Sequence, residues 1–111
     1  MISFIKGKIA GRDENIIILE NNGVGFEINV SSNTFALAAG KDEAHLYTYL
    51  HLKEDGIALY GFATAEERKM FLNLITVSGV GPKVALNILS GISPRDLAVR
   101  DRKSTRLNSS H

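Results

Sequence analysis

The sequence contains no cysteine, and this absence excludes disulfide bridges and metal sites built on thiolates. It also contains no apolar run near the roughly 18 residues that a membrane-spanning helix requires. The first residues lack the basic lead, the long apolar stretch and the cleavage site of a secretion signal. We therefore expect a cytoplasmic protein, and a reducing compartment also fits the missing cysteines.

The sequence also lacks an excess of positive or negative charge, since the net charge of the 111 residues is +1. Residues 1–100 carry ten Lys and Arg against eleven Asp and Glu, and residues 101–111 carry three against one. A nucleic-acid-binding protein with so neutral a body must concentrate its positive charge on one face or use backbone amides. The hydrophobic content of 44% is sufficient for a packed core.

The first 63 residues show five short stretches typical of β-strands, at residues 2–10, 16–19, 24–30, 45–52 and 57–62. A short helical segment ending at Gly40 interrupts them, and Gly7 within the first stretch indicates a bulge or a close backbone approach. Five short strands with one helical insert favour a small closed OB-fold barrel, because closure removes exposed strand edges. We predict a barrel domain over residues 1–63.

The apolar period changes from two to 3.6 after Ala63, so the second predicted domain, over residues 64–100, is α-helical. Thr64-Ala65-Glu66-Glu67 has the form of a capping box that opens a helix. Ser93-Pro94 opens a later helix, and residues 101–111, with one apolar side chain, are predicted to be a disordered tail. Two helical faces flank a central turn, formed by Met70, Phe71, Leu74 and Val77 before it and by Val84, Ala85, Ile88 and Leu89 after it.

That turn is Ser78-Gly79-Val80-Gly81-Pro82-Lys83, which we call the glycine turn. Glycines allow another molecule to approach the main chain, and Pro82 suits the first position of a helix. The free amides at that helix start, beside Lys83, form a candidate anion site. An ordinary tight connection between two helices explains the same residues about equally well. The spacing matches neither a Walker loop nor a dinucleotide-binding fold, so no ATPase motif is present.

The remaining polar clusters do not predict catalysis or a cofactor. Glu54 and Asp55 form a hairpin turn, read either as a solvated loop or as an acidic tip that repels phosphates; without a third ligand they make a poor metal site. Tyr47 and Tyr49 could stack on bases, although packing explains them better. The three histidines show no ligand spacing.

Four blocks of the sequence together resemble the RuvA family, the Holliday-junction recognition subunits of a bacterial branch-migration machine. They are Met1-Ile2 and residues 22–27, 53–62 and 78–86. The resemblance implies an OB-fold barrel followed by a helix-hairpin-helix domain, and a four-fold tetramer that holds a four-way junction open and flat. It also implies that Glu54 and Asp55 are the acidic pin at the crossover, and that residues 78–83 are the first phosphate-binding hairpin.

The resemblance ends near Arg100, whereas the family continues into a second hairpin and a mobile third domain that binds the RuvB motor. The tail at residues 101–111 does not resemble the family. We therefore expect a truncated family member that carries only the first hairpin. The family partners are four-way junction DNA, three further copies of the chain, RuvB and RuvC, and we expect the docking of RuvB to be lost.

The sequence thus predicts a non-catalytic subunit that binds four-way junction DNA by structure rather than by sequence, in recombination and DNA repair. One alternative is a helix-hairpin-helix repair enzyme of base-excision type, which needs a catalytic Lys or Asp beyond the hairpin. The residues of those types that follow are Asp96, Asp101 and Lys103. Another alternative is a structural module that does not bind nucleic acid and whose hairpin only packs.

Overall fold

The structure, a computed structural model, describes residues 1–91. The predicted helix opened by Ser93-Pro94, the tail at residues 101–111 and the candidate catalytic residues Asp96, Asp101 and Lys103 lie outside the described residues. The described strands are β1 (Phe4–Asp13), β2 (Ile16–Asn21), β3 (Val24–Val30), β4 (Glu43–Lys53) and β5 (Gly56–Phe62). The described helices are α1 (Ser32–Ala38), α2 (Ala65–Ile75) and α3 (Pro82–Ser90).

The five strands close into a barrel in the order β1-β2-β3-β5-β4, which confirms the predicted OB-type barrel. All neighbouring strands pair antiparallel except β3 and β5, which meet in a short parallel contact at Asn29 and Tyr60. Because the barrel is closed, each strand is paired on both sides over at least part of its length, which removes the exposed edges of an open sheet. The helix α1 connects β3 to β4, and its Ala38 is buried among the side chains of the barrel interior.

The barrel interior contains aliphatic side chains that alternate along the strands, as the sequence predicts. Gly7 confirms the predicted close backbone approach, because a Cβ atom there would lie 2.4 Å from the carbonyl oxygen of Glu20. The alternative explanation of Gly7, a bulge, does not apply, since the register shift of β1 lies between Ile9 and Gly11. The buried interior residues include Ile5, Ile17, Leu19, Ile28, Val30, Leu46 and Leu59.

A second core fixes the α2–α3 pair against the outside of the barrel. Phe71 of α2 is fully buried, and its ring lies 4.8 Å from that of Phe62 and 5.5 Å from that of Tyr60, between ring centroids. Burial, with a smaller contribution from Tyr49, raises the pKa of the Tyr60 phenol above its usual 10.0. We call this set the hairpin core; its members are Tyr60, Phe62, Phe71, Ala85, Leu86 and Leu89.

The predicted buried face of α3 is wrong in part. Val84 and Ile88 are 48% and 40% exposed, whereas Leu86 is buried. The apolar residues of α3 surround most of the helix, so the sequence pattern alone left its rotation ambiguous. Packing against Phe71 selects the stripe that contains Ala85, Leu86 and Leu89.

A buried carboxyl group joins the barrel to the helical pair. Glu67 is 3% exposed; its Oε1 accepts a hydrogen bond from Thr34 Oγ1 at 2.5 Å, and its Oε2 accepts one from Ser31 Oγ at 2.6 Å. The Thr34 hydroxyl oxygen also accepts from the amide of Ala63 at 3.0 Å, at the start of the connection to α2. The predicted capping box is therefore half correct: Thr64 Oγ1 accepts from the Glu67 amide, but the Glu67 side chain is directed to α1.

Further hydrogen bonds hold α2 and α3 against the barrel and α1. Arg68 Nε donates to the carbonyl oxygen of Thr48 in β4 at 2.8 Å. At the end of α3, Ser90 Oγ accepts from the amide of Ser32 at 3.0 Å, and the carbonyl oxygen of Leu89 accepts from Asn33 Nδ2 at 3.0 Å. Both ends of the helical pair are thereby positioned relative to the barrel.

We expect Glu67→Ala to lower the free energy of unfolding by about 2–4 kcal/mol, because two buried hydroxyl groups would each lose their acceptor. Glu66→Ala is the matched control, since Glu66 is exposed in the same helical turn, and it should cost less than about 1 kcal/mol. Urea denaturation followed by circular dichroism measures both. Equal losses in the two variants would contradict the role given to Glu67.

Candidate nucleic-acid interface

The glycine turn connects the end of α2 to the start of α3 and lies open to solvent. Gly79 has a φ angle of +86°, a left-handed conformation that side chains resist. A Cβ atom built on Gly79 would meet nothing within 4 Å, so glycine is needed here for its backbone angle rather than for space inside the protein. The same open space allows a ligand to reach the main chain. Ser78, Gly79, Gly81 and Lys83 are exposed, and Val80 and Pro82 are half-buried.

The backbone donors of this turn are available to a ligand. Gly81 is the N-cap of α3 and no side chain caps it, while Pro82 occupies the first turn, as predicted. Within residues 1–91, the amides of Gly79 and Gly81 donate no hydrogen bond, whereas the amide of Val80 donates to the Val77 carbonyl at 3.0 Å. Free amides at the positive end of a helix dipole, beside the ammonium group of Lys83, form a site suited to a phosphate.

The acidic pair lies at the tip of the β4–β5 hairpin. Lys53 and Gly56 pair across the two strands, which leaves Glu54 and Asp55 as a two-residue turn. Both carboxyl side chains are exposed. The next pair along the hairpin, Leu52 and Ile57, is 72% and 67% exposed, so the whole tip projects from the barrel.

One cleft connects the acidic hairpin to the glycine turn. It has a volume of about 480 Å³, and its lining includes Lys53 and Ile57 from the hairpin and Lys83 from α3. The structure thus brings the base of the acidic tip and the end of the glycine turn to a common space. Sequence reasoning missed Lys53 as a candidate site residue; its one signal was its position directly before Glu54.

The aromatic residues of β4 fall into two groups. Tyr49 packs towards the hairpin core, with its ring 5.6 Å from that of Phe71. His45 stacks on Phe4 at 4.9 Å and meets the edge of Tyr47 at 5.0 Å, on the outer surface of β1 and β4. Packing within the chain therefore accounts for Tyr49.

Residues 1–91 show neither a metal-ligand cluster nor a helix suited to a membrane. In this part of the chain, no three His, Asp or Glu side chains come close enough together to hold a metal ion. Within the same residues, no helix has the length and hydropathy needed to cross a membrane.

A second Gly-Val-Gly tripeptide, at residues 23–25, repeats the tripeptide of the glycine turn. It lies in the turn and first residues of the β2–β3 hairpin and has no helix beside it.

Two family models match the chain, one over its strands and one over its helices. The model of the RuvA N-terminal domain matches residues 1–61, more than half of the chain. A model described as a SAM-like helix-hairpin-helix tandem matches residues 71–107. The first match covers the barrel, and the second begins in α2 and includes the glycine turn.

Curated relatives agree with these models. A protein of Cytophaga hutchinsonii, named Holliday junction branch migration complex subunit RuvA, is 40% identical over 97 residues, which are 87% of this chain and 49% of that protein. Proteins of the same name from Bacteroides fragilis and Acetivibrio thermocellus are 44% and 45% identical, over 87% and 85% of this chain and 48% and 47% of theirs. The chain spans about half the length of the curated relatives it matches. With a family model over more than half of its residues, the chain belongs to the RuvA family.

Proposed function

We propose that the chain binds four-way junction DNA through its backbone phosphates, as a non-catalytic recognition subunit of a branch-migration complex. The observation that carries the proposal is one cleft that is lined by Lys83, the last residue of the open glycine turn, and by Lys53, which directly precedes the acidic pair. The names of the relatives, which are branch-migration subunits, support the same function.

The glycine turn would hold one backbone phosphate. The amides of Gly79 and Gly81 would donate to its oxygens, and the ammonium group of Lys83 would supply charge. None of these groups can distinguish one base from another, because phosphates carry no sequence information. Binding through this turn would therefore be independent of sequence.

The acidic tip would repel backbone phosphates near the crossover. Two unit charges about 4 Å apart repel by about 1 kcal/mol in water, and by several times more where solvent is displaced. Glu54 and Asp55 would therefore oppose the close approach of two strands at a crossover. Attraction at the glycine turn and repulsion at the tip would together favour a four-way junction, where strands separate at the crossover. A linear duplex, whose strands stay paired, would bind less tightly.

Assembly of the chain into a homotetramer would provide four copies of the tip and of the glycine turn. A four-fold homotetramer would bring four copies of the tip, with Glu54 and Asp55, to the centre of an open junction, and four glycine turns to its arms. In the complexes of the family, a RuvB motor would supply the ATP-driven step and RuvC would resolve the junction, and neither step would depend on residues 1–91 of this chain. This chain would contribute recognition alone.

We expect Lys83→Ala to weaken binding to a four-way junction and to linear duplex alike, by roughly 5- to 30-fold, the effect of losing one charged hydrogen bond of about 1–2 kcal/mol. The slope of the logarithm of affinity against the logarithm of salt concentration should fall by about 0.9. Fluorescence anisotropy at several salt concentrations measures both quantities.

The control for Lys83 is Lys8→Ala, which removes an exposed lysine from β1. Lys8 lines other clefts, so this variant should retain near-normal affinity. If the two variants lose the same affinity, the glycine turn has no special role and binding depends on total charge.

We expect Glu54→Gln combined with Asp55→Asn to leave duplex affinity within about two-fold and to change the geometry of the bound junction, because the repulsion at the crossover is removed. Resonance energy transfer between dyes on two junction arms reports that geometry. The control is Asp42→Asn with Glu43→Gln, a second exposed acidic pair, which lies at the start of β4 and so at the opposite end of this strand from the tip. Arm distances that stay unchanged in the first variant would count against the proposed role of the tip.

A further inference from the structure

We propose that the cleft between the β4–β5 hairpin and the start of α3 is a binding site for a single DNA strand, and that Lys53 is a phosphate-binding residue of the barrel. This inference rests on the proposed function and assigns the barrel its own attractive contact with DNA. The cleft has a volume of about 480 Å³ and is lined by both Lys53 and Lys83.

The two lysines reach the cleft from different parts of the chain. Lys53 is the last residue of β4, and Lys83 is in the first turn of α3. Both side chains are exposed, so their ammonium groups are available to a ligand. The hairpin core and the Glu67 hydrogen bonds fix α2 and α3 on the barrel, so the cleft is a preformed feature rather than a gap between loosely joined parts.

The chemistry of the lining suits a nucleic acid strand. Two cationic groups attract phosphates, while Ile57, Leu50 and Ile2 supply apolar surface against which a sugar or a base can pack. Glu27 is the one acidic side chain in the lining, so the cleft keeps a positive balance. A small anionic metabolite would not need an apolar wall that continues onto the exposed side chain of Ile57.

The position of Lys53 gives its contact selectivity for junctions. Lys53 directly precedes Glu54 and Asp55, whose carboxylates repel phosphates, so Lys53 would hold one strand beside the tip while the tip keeps a second strand away. A strand that leaves a crossover parts from its partner there, whereas the two strands of a continuous duplex remain together. Lys83 can contact either form of DNA, but Lys53 should contact mainly the strand that turns away at the crossover.

The test compares Lys53→Ala, Lys83→Ala and the double variant in the full chain, with a four-way junction and a linear duplex of the same sequence as probes. We expect Lys53→Ala to weaken junction binding by 5-fold or more, to lower its salt slope by about 0.7–0.9, and to change duplex affinity by less than two-fold. Lys41→Ala is the control, because Lys41 is exposed and lines clefts away from this one.

If both lysines hold one strand, the effects of the two substitutions on junction affinity should not be additive. Lys53→Glu gives a stronger form of the test and should lower junction affinity further than Lys53→Ala. Circular dichroism of each variant checks that the exposed substitution leaves the fold intact.

Two outcomes would overturn the proposal. If Lys53→Ala matches Lys41→Ala on both probes while Lys83→Ala still loses affinity, the barrel site is wrong and the proposed function stands. If Lys53→Ala weakens both probes equally, Lys53 adds only general attraction and the strand site is wrong. A wild-type chain with no preference for the junction would instead contradict the proposed function itself.

Discussion

The packing of Phe71 between the barrel and α3 is the contact on which the rest of the arrangement depends. Its ring lies against Phe62 and Tyr60 on one side, and α3 covers it through Ala85, Leu86 and Leu89. Burial of a phenylalanine contributes about 2–3 kcal/mol, and loss of the ring would also leave a cavity. Without this contact α3 would lose its apolar support on the barrel, and Lys83 would no longer be held at the cleft that Lys53 also lines.

The hydrogen bonds of Glu67 fix the orientation of the helical pair relative to the barrel. Packing alone allows a helical pair to slide or rotate, whereas a buried carboxyl group must meet both of its donors. Ser31 and Thr34 lie at the start of α1, so the helix inserted between β3 and β4 serves as a support for α2. The polar contacts at Ser90 and Asn33 do the same for the end of α3. These contacts bring Lys83 of α3 to the cleft that Lys53 of the barrel also lines.

Much of the fold could be predicted from the sequence, because local patterns determine it. The strands, the glycine turn and the Thr64 cap follow from alternation, turn residues and capping preferences, and the structure confirms them. The rotation of α3 and the role of Glu67 could not be predicted, since both depend on partners more than 30 positions away in the sequence or on an adjacent helix. The same holds for Lys53, which becomes a candidate only when the fold brings it to the cleft that contains Lys83. The binding roles of residues 78–83 and of Glu54 and Asp55 stay predictions.

We propose that attraction at the glycine turn and repulsion at the hairpin tip together select branched DNA. A direct competition measures this: the unaltered chain, bound to a labelled four-way junction at fixed salt concentration, is titrated with unlabelled linear duplex of the same sequence. We expect the duplex to displace the junction only at a large excess, of about 10-fold or more in nucleotides. Displacement at equal nucleotide concentration would show that the chain binds DNA without regard to its structure and would contradict this selection of branched DNA.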